Sequence, residues 1–205
     1  MAIKIITVSR QFGSGGRTVA KEIADKFGFD YYDKEIIDNV AMETGFSKEF
    51  IASKGEEAPG KTIFSYGFEA AGVPGIMNGM TTLDYIYTVQ RKIILNIAEK
   101  DRPAIIVGRC ADYILRDRDD AFHTFIYADL KYRAERIVKM YGESENKPEK
   151  RLIDKDKKRS ANYKHFTDRE WGKLTNYDIC LNSGFLGIDG CVRILSDIIS
   201  EKNGL

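Results

Sequence analysis

Two stretches of this sequence spell a loop that could hold phosphate. GEEAPGKT, residues 55–62, meets the pattern G-x-x-x-x-G-K-[ST] letter for letter, whereas QFGSGGRT, residues 11–18, has Gln11 for the first glycine and Arg17 for the lysine. Such a loop works when a strand delivers the chain into a tight turn whose backbone N–H groups converge, together with the positive end of a helix, on the anion. Surroundings therefore decide between the two. SKEFIASK, before residue 55, reads as helix, Glu56 and Glu57 would repel the ligand, and Pro59 removes a donor. The stretch at 11–18 has glycines at 13, 15 and 16 and keeps a permanent cation at Arg17, which offers a planar fork of donors in place of an ammonium. On this reading Gly13, Ser14, Gly15 and Gly16 cradle donor phosphates, Arg17 meets the β and γ groups, and the Thr18 hydroxyl takes Mg²⁺.

The elements flanking this loop fit that reading. IKIITV, residues 3–8, is β-branched and predicts a buried strand. After it, Val19, Ala20, Ile23, Ala24 and Phe27 recur at helical spacing from Thr18, with Gly28 placed to end the helix. FDYY, residues 29–32, predicts a short strand leading to Asp33, which could cap a helix carrying Ile36, Ile37, Val40 and Ala41 up to Gly45. Further strands are predicted at 104–107, 122–127 and 177–182, with amphipathic helices near 83–100, 130–141 and 188–201. Strands alternating with helices predict a parallel α/β sheet. A rival reading takes Gly13-x-Gly15 and Asp33 as a dinucleotide fingerprint, but Thr18 stands where its third glycine belongs.

Two stretches break the alternation. Residues 53–80 hold six glycines and two prolines and read as an insertion. Residues 147–164 carry eight basic and three acidic groups, with Arg151, Lys155 and Arg159 on one face if the segment is helical. The chain of 205 residues is long enough for one full core, and 32 basic against 31 acidic side chains give a net charge of +1. Nothing global then draws it to nucleic acid or an anionic membrane, so an anion site must be local. Cys110, Cys180 and Cys191 are odd in number and widely spaced, which argues against disulfides or zinc and for a reducing, cytoplasmic setting. Met1 to Ser9 is too short an apolar run for a signal peptide, and no stretch reads as a membrane span.

In their order along the chain these motifs resemble the cytidylate kinase-like family, relatives of the nucleoside monophosphate kinases. ITVSRQFGSGGRTVAKEIADKFGFDYYD is similar to its strand, phosphate loop, helix and second strand; VGRCADYIL to its strand-end Gly-Arg; FIYADLKYRAER to a fourth strand and a helix bringing Arg133 and Arg136 to the site. DKKR, residues 156–159, resembles the Asp-x-x-Arg of a lid helix, and YDICLNSGFLGIDGCV the last strand, turn and helix. The resemblance implies a single three-layer P-loop nucleoside triphosphate hydrolase domain over residues 1–205, with a parallel sheet of about five strands between helices. It places an acceptor-binding insertion at residues 34–82 and a lid at 142–172.

It implies Mg·ATP as donor and a nucleoside monophosphate as acceptor, with no nucleic acid or membrane partner; a homodimer is compatible with it. The family usually has glycine at Gln11, lysine at Arg17 and aspartate at Cys110, which leaves base preference open. Phosphorylation of another small hydroxyl or phosphate compound, or nucleotide binding without transfer, stay as alternatives. Arg109 would face the transferred or acceptor phosphate, against a surface salt bridge. Arg159 and Arg151 would close over the donor, against a solvated helix face. Asp33 would hold a metal-bound water, orient the acceptor or cap its helix. His123 and His165 read as structural, Cys110 as a small buried residue, and Trp171, behind a capping box at Thr167 and Glu170, as support.

Overall fold

A computed structural model describes residues 2–54, 80–142, 144 and 146–205; the GEEAPGKT stretch and most of the insertion lie outside them. A strand β1 (Ile5–Arg10) leads through the glycine loop into α1 (Gly16–Phe27), then β2 (Asp30–Tyr32), α2 (Lys34–Thr44) and α3 (Lys48–Lys54). After the undescribed stretch come α4 (Thr82–Ala98), β3 (Ala104–Val107), a single turn α5 (Ala111–Ile114), β4 (Ala121–Tyr127) and α6 (Leu130–Tyr141). The chain ends with α7 (Pro148–Thr167), a 3₁₀ turn Leu174–Asn176, β5 (Ile179–Asn182) and α8 (Ser183–Asn203).

The strands form one parallel sheet in the order β2-β3-β1-β4-β5. β1 lies at its centre, with Ile5–Val8 beside Ala104–Val107 and Ile5–Arg10 beside Ala121–Ile126. Successive strand residues face opposite ways, so β1 is apolar on both sides. Ile5 packs with Ile36, Ile86, Ile94 and Ile106 beneath α2 and α4, while Ile6 and Val8 pack with Ile23, Ile105, Leu195 and Ile199 beneath α1 and α8. These are the three layers expected. The order reverses beside β1, which opens a crevice at the carboxyl ends of the strands.

Several predicted boundaries move for identifiable reasons. β1 continues to Arg10, since its last residues still pair with β4 up to Ile126. The last helix begins at Ser183, not 188, because the Asn182 side chain accepts the N–H groups of Gly184 and Phe185, with a kink at Gly187 (φ 70°, ψ 171°). No helix starts at Thr167. Its hydroxyl donates to the Tyr163 carbonyl at 2.6 Å and accepts the Arg169 N–H at 3.1 Å, closing the end of α7. Among the described residues no helix is long and apolar enough to cross a membrane.

Candidate active site

Gly13 (φ 80°) and Gly15 (φ 81°) turn the chain from β1 into α1 in the left-handed conformation that side chains resist. A β-carbon at Gly13 would also stand 3.1 Å from the Arg133 carbonyl. Helix α1 opens at Gly16 with no side-chain cap and no acidic residue in its first turn, which leaves its positive end to a ligand. Ser14 is fully buried. Its hydroxyl donates to the carbonyls of Gln11 and Ile126, and its carbonyl accepts from Ser183, so it offers the cradle only backbone. The glycine-to-Gln11 departure has a structural use, because its Oε1 accepts the Ala128 N–H at 3.2 Å and ties the loop to the end of β4. The loop borders a cavity of about 190 Å³, lined on its other sides by Arg10, Tyr141 and Arg159.

Arg17 turns away from the loop toward Asp33: Nε stands 2.9 Å from Oδ2 and Nη2 donates to Oδ1 at 3.2 Å. Asp33 occupies the residue before α2, yet its carboxylate makes no capping bond. Of the roles open to it, the structure shows no helix cap, and the carboxylate instead pairs with Arg17. Arg10 reaches the same carboxylate, 3.9 Å away. The Thr18 hydroxyl accepts Arg136 Nη2 at 3.0 Å, and the same guanidinium donates to the Tyr141 hydroxyl.

A second cavity of about 40 Å³ lies across the strand ends, bordered by Arg10, Arg109, Arg159, Asn162, Tyr163 and Trp171. Gly108, Arg109 and Cys110 are successive left-handed residues (φ 73°, 58°, 55°), a sparsely populated conformation for the last two. Gln90, itself buried, holds the turn by donating to the Arg109 carbonyl at 3.1 Å. Beneath the cavity the buried Asp112 carboxylate accepts Ser9 Oγ at 3.2 Å and Tyr163 Oη at 2.6 Å. Burial pushes the Asp112 carboxyl above its usual range, against the pull of these bonds. Burial likewise pushes the Cys110 thiol up, so it is a poor nucleophile, as its reading as a small buried residue expects.

Helix α7 is docked on the loop. Asp156 Oδ1 accepts the Phe12 N–H at 2.7 Å while Oδ2 takes Arg133 Nη1 at 2.6 Å, and Arg133 also donates to the carbonyls of Phe12 and Ala128. Lys155 and Arg159 lie over the Phe12 ring, 4.9 and 5.4 Å from its centre. Arg159 Nη1 approaches the Arg10 carbonyl at 3.4 Å. Arg151 departs from this group: its guanidinium donates to the carbonyls of Ser144 and Asn146 and does not border the loop cavity. One helix turn beyond Lys155, a side chain reaches the preceding connection rather than the site. His123 is bound to Thr7 inside the sheet and His165 lies 3.6 Å from Asp84, both away from the cavities. Trp171 packs edge-on to Phe125 at 5.4 Å, support that also borders the second cavity.

Sequence reasoning missed Arg10, Gln90 and the Asp112–Tyr163 pair. Arg10 carries a readable signal, a charge on the last residue of an apolar strand just before the glycine loop. Gln90 carries the same kind, a lone amide on the apolar face of α4.

The model of the cytidylate kinase-like family matches residues 5–184. A cytidylate kinase of Archaeoglobus fulgidus is 26% identical over 200 residues, 96% of this chain and 95% of that one. One of Methanococcus aeolicus is 24% identical, covering 97% and 99%. Among solved structures, an uncharacterized protein from Eubacterium ventriosum is 25% identical with a TM-score of 0.70, over 96% of this chain and 98% of that one. A shikimate kinase from Bacteroides thetaiotaomicron shares the fold at a TM-score of 0.56 and 14% identity, over 97% and 99% of the two chains.

Proposed function

The chain belongs to the cytidylate kinase-like family and is an enzyme of that phosphotransferase type; we propose that it moves the γ-phosphoryl group of ATP to a nucleoside monophosphate, with CMP the first candidate. One observation carries the reading. The glycine loop and the uncapped start of α1 border one cavity, the arginine-rich strand ends border another, and the two meet at Arg10 and Arg159. Phosphoryl transfer asks a protein mainly to position two anions and to neutralise charge, which this arrangement of cations is built to do.

On this reading Gly13, Gly15, Gly16 and the Ser14 backbone hold the donor phosphates, and Arg17 leaves Asp33 to meet them. Arg109 binds the acceptor's anionic group beside Trp171. Residues 142–172 act as the lid that brings Arg159 in, with Arg151 bracing its near end, and residues 34–82 form the acceptor side. Thr18 fits Mg²⁺, because a hydroxyl oxygen that accepts one bond from Arg136 keeps a second lone pair, and a nucleotide-borne Mg²⁺ needs few protein ligands. When bound, the metal neutralises phosphate oxygens. A cytoplasmic setting accords with free thiols at Cys110, Cys180 and Cys191.

Asp33 favours a second reading. A carboxylate that reaches both Arg10 and Arg17 suits a hydroxyl acceptor, whose proton needs a base, more than a phosphate monoester. ADP formation from Mg·ATP, measured with a panel of nucleoside monophosphates and small hydroxy acids, separates the two. Fastest turnover with CMP is expected; turnover only with a hydroxy acid would replace the acceptor, and none with any compound would leave a nucleotide-binding protein.

A further inference from the structure

The cation of a phosphate loop ordinarily comes from its penultimate residue, here Arg17. That side chain is 45% exposed and its fork is engaged by Asp33, at the rim of the donor cavity. Arg10 is placed differently. It is the last residue of the central strand, its side chain is 11% exposed, and its β- and γ-carbons lie against Gly16 at the start of α1. A side chain at Gly108 would collide with Arg10 Nη1, so it is the bare glycine at the end of β3 that admits the guanidinium. Among the described residues, Arg10 and Arg159 are the two that border both cavities.

A phosphoryl group passing from donor to acceptor must cross the place where the cavities meet. We infer that Arg10 is a further catalytic residue, the fixed strand-borne cation that contacts the γ-phosphoryl group through transfer. This rests on the phosphotransferase reading. In the step, the bond between γ-phosphorus and the β–γ bridging oxygen breaks, its electron pair staying on ADP, while an acceptor oxygen bonds to phosphorus. Arg10 exchanges no proton, since a guanidinium stays charged. It supplies charge to the equatorial oxygens from a rigid strand, whereas Arg159 brings its charge on α7. Asp33 holds Arg10 at its inner edge, and Gly108 gives it room.

A contact to the γ group alone leaves a mark that loop damage does not. Wild type, Arg10→Met and Arg10→Lys are titrated calorimetrically with Mg·ADP and with the non-hydrolysable Mg·AMP-PNP, after thermal unfolding confirms that each variant is folded. Arg10→Met is expected to bind Mg·ADP within about twofold of wild type and to lose about tenfold in its preference for Mg·AMP-PNP over Mg·ADP, the scale of one charge-assisted hydrogen bond. Arg10→Lys is expected to keep part of that preference. Equal losses for both nucleotides would overturn the assignment, reducing Arg10 to loop support, and so would an unchanged preference. If Arg10→Met does not fold, Arg10→Lys decides by the same ratio. Turnover with CMP is followed separately: wild type that binds both nucleotides but transfers nothing overturns the kinase reading and leaves Arg10 a γ-phosphate ligand, while wild type that binds neither overturns both.

Discussion

Arg17 and Asp33 face each other beside the glycine loop in a two-point pair, Nε to Oδ2 at 2.9 Å and Nη2 to Oδ1 at 3.2 Å. The loop's cation is engaged by a carboxylate from the end of β2, so on the proposed function binding a donor exchanges one anion for another.

Two substitutions should therefore act in opposite directions. Arg17→Ala is expected to weaken Mg·ATP binding by about ten- to a hundredfold, the loss of one charge-assisted contact worth roughly 1.5–3 kcal/mol. Asp33→Asn releases Arg17 from a partly exposed pair and should tighten Mg·ATP binding by about two- to fivefold, the scale of a solvent-screened ion pair. Titration of each variant without acceptor is the measurement; weaker binding by Asp33→Asn would mean that the pair pre-positions Arg17 instead of competing for it.

Arg159 lies between the cavities on α7 and should matter most once charge is moving. Arg159→Ala is expected to lower the turnover number by about a hundredfold or more while changing the ATP dissociation constant by less than about fivefold, as for a group that binds the transition state more strongly than the ground state. Steady-state kinetics beside calorimetry would show it, and an unaltered turnover number would leave α7 a charged surface helix.

The Asp156 side chain, 14% exposed, serves both the Phe12 N–H and the Arg133 guanidinium, which is 8% exposed. Asp156→Ala strands a buried guanidinium, a loss of about 3 kcal/mol, or roughly 6–12 °C in melting temperature for a domain of this size. Calorimetric melting of the free protein gives the answer, and a drop under about 2 °C would show that the Phe12 and Ala128 carbonyls hold Arg133 without the carboxylate.

His123 makes stability depend on pH. Burial holds its imidazole below the ordinary value of 6.5, against the opposing pull of Asp178 and Asp112. Below pH 6.5 the unfolded chain takes a proton that the folded one resists, so this histidine's contribution falls as pH drops toward its folded value. Asp112, pushed up by burial, acts with the opposite sign, because the folded chain takes its proton first. Between pH 7 and 5.5 the melting temperature of wild type should drop further than that of His123→Gln; parallel curves would remove the histidine from the account.

The parts legible in the sequence were those written in local periodicity. IKIITV, the glycines after it and the apolar face of α1 announced strand, loop and helix because each signal lies within a few residues of its consequence. Spacing and resemblance point to Arg17, Asp33, Arg109 and Arg159; three of them border the two adjoining cavities, and Asp33 is joined to them through its pairs with Arg17 and Arg10. Arg151 reaches Ser144 and Asn146 although it shares a helix face with Arg159, because a shared face does not say how far along the helix a cavity extends. Arg10 has a local signal, a charge ending an apolar strand, but the room that Gly108 gives it, nearly a hundred positions away, is written only in the fold. The Thr167–Glu170 pattern misled because the same hydroxyl can close a helix as well as open one. GEEAPGKT lies outside the described residues, so the reading of it rests on its sequence surroundings alone.

The hold of Asp156 on the Phe12 amide gives the molecule an internal gauge. That amide donates to a carboxylate on α7 and not to a neighbouring strand, so its hydrogen can exchange with solvent only when α7 lifts from the loop. The exchange rate of this one proton in deuterated buffer thus reads the free energy of undocking at equilibrium, before any substrate is added. A nucleotide that draws α7 down will slow it, and one that pushes the helix away will speed it, so a single amide distinguishes closing ligands from opening ones without an assay for transfer.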